Sequence, residues 1–85
     1  MKVFDFYNGH PERWCQHSLL NRQGQRCLDG ALMHCYGEFE GYHIARVAVH
    51  RAIASEGYPY SITAYNDAST RTFEDILAVV KAADV

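Results

Sequence analysis

Several absences narrow what this 85-residue chain can be. No run of apolar residues approaches the 18 or so that a membrane-spanning helix needs. The opening segment MKVFDFYNGH has neither the long apolar core nor the small-residue cleavage site of a secretory signal, so a cytoplasmic protein with no membrane association is expected. No CxxC occurs and no two histidines lie four apart, the spacings that bring two ligands to one metal ion. Neither sign of charge dominates: 8 Lys and Arg against 10 Asp and Glu leave a formal charge of −2, which gives no global pull toward nucleic acid or an anionic membrane. Three cysteines without a signal imply reduced thiols rather than a disulfide framework. There is no internal repeat, low-complexity tract or linker.

What is present is enough for one core and too little for two. The 48% hydrophobic content suits a globular chain, so residues 1–85 read as a single compact domain. Residues 1–8 alternate around Phe4 and Phe6 and predict an N-terminal strand or arm closed by the Asn8-Gly9 turn. Pro11 can open a helix running to about Leu20, followed by the polar loop Asn21–Gln25. In RCLDGALMHCYG the apolar residues Leu28, Ala31, Leu32 and Cys35 fall at i, i+3, i+4 and i+7, a helix that Gly37 can stop. Gly30 costs such a helix up to about 1 kcal/mol relative to alanine, which points to a close-packing face at Gly30 and Ala31, either within the chain or across a homodimer. Glu38 and Glu40 read as a solvated loop. A further helix is expected from Tyr42 to Glu56 with Ile44, Val47, Ala48 and Ala52 inward, stopped by Gly57 and Pro59. YPYSITAY reads as extended and able to pair with the N-terminal strand. A last helix, from Phe73 to about Ala83, has Phe73, Ile76, Leu77 and Val80 on one stripe. The expected fold is α+β, mainly α: about four helices around one core with a short two-stranded β element.

The stretch SITAYNDASTRTFEDILAVV gathers hydroxyls, an Asn-Asp pair and an arginine ahead of that last helix. Thr72 followed by Glu74 and Asp75 fits an N-cap with acids at the positive helix end, and Asn66 and Asp67 can form the preceding turn through their own backbone. Capping leaves Ser69, Thr70 and Arg71 without a role. The alternative is an anion held by Ser69, Thr70, Arg71 and Thr72 at the helix start, in a small-ligand-binding protein or enzyme; Glu74 and Asp75 oppose it by already occupying that end.

CLDGAL at 27–32, with ITAYNDASTRTFEDILAVVKAA downstream, resembles a family of small uncharacterised bacterial and phage proteins. Its members carry a Cys-Leu-x-Gly-Ala helix and a terminal Trp-Asn-Asp…Arg-Thr…Asp-Val/Ile-Leu motif. The resemblance covers roughly residues 11–83 and departs from the family at Tyr65, where tryptophan is typical. It carries no activity. It implies one domain in which Cys27, Gly30, Ala31, Asn66, Asp67, Arg71 and Thr72 are mainly architectural, and it suggests a phage origin.

No catalytic residue, metal ligand or cofactor emerges. Cys27 near a helix start is a conceivable nucleophile, but the sequence places no base beside it. Cys15, His17, Cys27, His34, Cys35, His43 and His50 fix no ligand set, and core thiols account for the cysteines better. The richest surface is on the third helix, where His43, Arg46 and His50 recur at i, i+3 and i+7 with Arg51 alongside. A solvated helix face accounts for each singly; together with Trp14 and Tyr58, the residues Arg46, His50 and Arg51 form a candidate partner-binding surface. The expected function is that of a small non-enzymatic interaction protein that binds and modulates a bacterial protein or ribonucleoprotein complex. An inhibitor of the anti-CRISPR kind is the most concrete form of it, resting on size and resemblance. A nucleic-acid-binding module is the further alternative, and a monomer or homodimer is compatible with the pattern.

Overall fold

A computed structural model describes residues 1–37, 39–58 and 60–85 of the chain. The stop expected at Pro59 and the loop carboxylate Glu38 lie outside the described residues. Among the described residues five α-helices follow one another: α1 (Val3–Tyr7), α2 (Leu28–Tyr36), α3 (Glu40–Ser55), α4 (Ile62–Asp67) and α5 (Phe73–Ala83), with a 3-10 turn at Pro11–Arg13. Among the described residues there is no strand, and the expected α+β class gives way to an all-helical one. Extended pairing is confined to isolated bridges, Trp14 with Arg26 and Leu20 with Arg26.

Of the two segments expected to form the β element, the first is helical and the second becomes helical from Ile62 onward. In α1, Val3, Phe6 and Tyr7 lie at i, i+3 and i+4 and are all buried. Five mostly apolar residues satisfy a period of two or of 3.6, and burial of this triplet settles the choice. In α4 the Ser61 hydroxyl accepts from the Ala64 amide at 3.0 Å, capping a helix whose buried residues Ile62, Tyr65 and Asn66 again fall at i, i+3 and i+4. The helix expected from Pro11 to Leu20 stops after one turn. Beyond it the backbone turns back onto Arg26, with Arg26 N donating to Arg13 O at 2.8 Å and Cys15 N to Arg26 O at 3.3 Å, and His17 takes a left-handed φ of 70°.

The two helices with clear sequence stripes form as read. In α2 the amide of Gly30 donates to the Cys27 sulfur at the N-cap, and Gly37 takes φ 78° at the C-terminal end. A Cβ on Gly30 would lie 2.1 Å from the carbonyl oxygen of Leu19, so the glycine admits the loop rather than another helix. In α5 Thr72 and Asp75 form a complete capping box. The third helix begins two residues earlier than expected and is rotated. It buries Ala45, Val49 and Ile53, spaced by four, packs Ala48 and Ala52 against the core as expected, and leaves Ile44 and Val47 in solvent.

The core joins α1, α2, α3, α4 and α5 through Val3, Tyr7, Leu28, Leu32, Val49, Ile53, Ile62, Tyr65, Ile76 and Val80. α3 packs across α5 and α2, which leaves one long side of α3 uncovered.

Candidate functional site

Asn66 is fully buried, and its amide spans three segments. Its Oδ1 accepts from the Trp14 indole at 2.7 Å and from the Leu28 amide at 3.0 Å. Its Nδ2 donates to Cys15 O at 3.1 Å and to Asp67 Oδ1 at 2.9 Å. Gln16 adds two bonds from its Nε2, to Asn66 O and Ala68 O, and the His17 amide donates to Asp67 Oδ1 at 2.9 Å. The Asn-Asp pair therefore ties the irregular 14–18 segment to α4 and to the start of α2. A turn closed on its own backbone was the expectation. Trp14, half-buried and bonded inward, belongs to this junction.

Arg71 lies flat on Tyr65, its guanidinium carbon 3.5 Å from the ring centroid, while its Nε donates to Tyr65 O at 2.8 Å. Tyr58 lies 5.4 Å away, Asp75 is 3.9 Å from Nη1, and the arginine side chain is 17% exposed. Thr72 Oγ1 accepts from the Asp75 amide, and Asp75 Oδ2 accepts from the Thr72 amide. The positive end of α5 thus already faces a carboxylate, with Ser69 and Thr70 exposed just before it.

A cleft of about 310 Å³ brings His17, Cys27 and Asp67 together with Ser18, Asp29 and Thr63. His17 Nδ1 is 3.8 Å from Asp67 Oδ2. Sequence spacing could not have placed these three together, since the contact is made by the 14–26 loop folding onto α4. The Cys27 thiol is buried, and that burial pushes its pKa up despite amides from Gly30 and Asp29 that act in the opposite direction. Burial also raises Cys15 and Cys35. All three cysteines are free. Among the described residues no three His, Cys, Asp or Glu side chains converge in a way that would hold a metal ion.

The residues singled out on the third helix separate. Arg46 turns toward α2, with Nε 3.5 Å from Asp29 Oδ1, and the same carboxylate oxygen accepts from Tyr42 OH at 2.7 Å. His50, Arg51 and Tyr58 come together, with Ala54 and Tyr60, around a depression of about 300 Å³. Tyr58 and Tyr60 stack edge to face there, 5.1 Å between centroids, and Tyr60 is 63% exposed. Arg51 also borders a second, more apolar depression of about 350 Å³ with His43, Ile44, Val47 and Ala48. Ile44 is 65% exposed and Val47 48%. This outer face was missed because Ile44 and Val47 were read as core. The signal that finds it is the four-residue repeat Ala45, Val49, Ile53, which fixes the opposite side.

No curated protein and no solved structure matches the chain. A model for a family of unknown function, DUF6197, matches residues 10–84.

Proposed function

We propose, for a chain that belongs to the DUF6197 family, that it is a small non-enzymatic interaction protein whose contact surface is the outer face of α3 and the tyrosine pair beyond its end. The observation that supports this most is the direction in which α3 is turned. The helix points Ile44 and Val47 outward next to Arg51, when its other face alone is enough to close the core. A single exposed aliphatic residue needs no explanation, but two on one ridge, flanked by an arginine and two tyrosines, have the composition of an interface centre. Arg13, Arg46 and Arg71 are engaged inward instead, on Phe6, Asp29 and Tyr65.

The partner proposed is a bacterial protein or ribonucleoprotein complex, modulated or inhibited by occupation of one of its surfaces; the small size of the chain and its resemblance to bacterial and phage proteins support this choice. The test is a tagged pull-down from bacterial lysate identified by mass spectrometry, beside a His50→Glu/Tyr60→Ser variant. Neither residue is in the core, so the variant keeps the wild-type helical circular dichroism. One stoichiometric partner that disappears with the variant supports the reading. A partner retained at full yield by the variant removes this surface from it.

A further inference from the structure

On the outer face of α3, Glu40, Ile44, Val47 and Arg51 fall at i, i+4, i+7 and i+11, the alternating spacing of a helix-pairing seam. They form one line about 17 Å long. All four are exposed, and among the described residues neither Glu40 nor Arg51 makes an ion pair. Along the helix the order is acid, apolar, apolar, base. Reversed end to end, it becomes base, apolar, apolar, acid, which is its own complement. A second copy running antiparallel would set its Arg51 against Glu40 and its Val47 against Ile44, and two-fold symmetry repeats both contacts. A parallel copy would oppose like charges.

We infer that two copies of this chain associate through antiparallel α3 helices along the Glu40–Ile44–Val47–Arg51 stripe. The inference rests on reading the outer face of α3 as a contact surface and names the occupant of its central part. The other candidate for self-association, Gly30 with Ala31, is closed: Leu19 fills the space over Gly30, and Ala31 is fully buried. The depression at His50, Ala54, Tyr58 and Tyr60 lies past the basic end of the stripe, so a dimer carries two copies of it, one toward each end. A single helical stripe buries less than the roughly 1,200 Å² of the smallest stable interfaces, so the association is weak and reversible, with a Kd on the order of 10–100 μM.

Sedimentation equilibrium over a concentration series spanning that range tests it. The wild-type chain passes from monomer to dimer, and Val47→Asp stays monomeric. Glu40→Arg and Arg51→Glu each weaken association about tenfold, since each reverses two symmetry-related pairs. The double exchange Glu40→Arg/Arg51→Glu restores wild-type association, because every pair is again of opposite sign. A wild-type chain that remains monomeric overturns the inference, as does a double variant no better than the singles. If the chain is monomeric yet His50→Glu/Tyr60→Ser still abolishes partner capture, only the self-association falls. If it dimerises while that variant leaves capture unchanged, the dimer stands and the proposed target surface falls.

Discussion

At the scale of single residues, the side chain that matters most to the fold is a buried amide. Asn66 satisfies the Trp14 indole, the Leu28 amide and the Cys15 carbonyl at once, none of which has a neighbour that replaces it as readily. Asn66→Ala leaves the Leu28 amide unpaired in the interior and the Trp14 indole and Cys15 carbonyl unpaired at its margin, and is expected to cost about 2–4 kcal/mol, a large part of the stability of a domain this small. A urea melt reads the loss as a lower midpoint. A change under about 1 kcal/mol would mean that water takes the place of the amide and that the junction does not depend on it. Arg71 is different in kind. Stacked on Tyr65 and bonded to its carbonyl, it fastens the α4–α5 turn, which gives the arginine in the SITAYNDASTRTF stretch a role that capping left open.

At the scale of elements, α2 and α5 were legible because stripe and terminus agree. Leu28, Ala31 and Leu32 are followed by Gly37, while Phe73, Ile76 and Val80 follow Thr72, whose capping box is completed by Asp75 in the first turn. Thr72→Ala removes the hydroxyl that receives the Asp75 amide and should lower stability by about 1 kcal/mol, with Thr72→Ser close to neutral; thermal unfolding distinguishes them. Equal losses in both variants would mean that the threonine methyl, and not the cap, carries the effect. Two elements were misread for related reasons. α1 is too short for its periodicity to exclude a strand, and α4 hides behind tyrosines with high strand propensity, its one clear marker being Ser61. On α3 the presence of a helix was legible and its rotation was not. Ile44 and Val47 make the outer face rival the inner one in apolar content, where Ala45, Ala48 and Ala52 lie beside Val49 and Ile53. The candidate set of Arg46, His50, Arg51, Trp14 and Tyr58 was correspondingly legible as residue types and not as a geometry: Arg46 turns toward Asp29, and the loop that folds Trp14 inward has no periodic signal at all.

For the whole molecule, burial of tyrosines sets an alkaline limit. Tyr7 is fully buried with its hydroxyl donating to Arg26 O at 2.7 Å, and burial holds its pKa far above the ordinary phenol value. The folded chain keeps this proton after the unfolded chain has lost it. The contribution of Tyr7 is therefore complete below about pH 10 and is lost above it, by about 1.4 kcal/mol per pH unit, while the thiols raised by burial at Cys27, Cys15 and Cys35 begin the same decline roughly a unit earlier. Tyr65 is shifted the same way, by burial first and then by its bond to Glu56, and adds to the decline. Urea midpoints measured between neutral pH and pH 11 should hold to about pH 8.5, decline gently as the unfolded thiols ionise and drop steeply above about pH 10, and Tyr7→Phe should soften the steep part while lowering the plateau. A flat profile to pH 11 would show that the Tyr7 hydroxyl is reached by solvent.

The amide of Val3 donates to the carbonyl of Val85, and Lys2 pairs with Asp84, so residues eighty-odd positions apart in sequence are neighbours in space. Topologically the backbone is close to a ring, and its opening between residues 85 and 1 is one choice among several. The exposed turn at Gln23–Gly24 is another, since Gly24 takes a left-handed φ of 79° with open space around it. A short bridge from 85 to 1 with new ends at that turn should give a circular permutant that keeps all five helices, but with the 14–18 strap and α2 now at opposite ends of the polypeptide. In such a permutant the Asn66 junction is completed by the 14–18 strap, the last of its parts to be made, whereas in the native order it is completed by Asn66 itself; the piece that closes the junction changes while the architecture is kept.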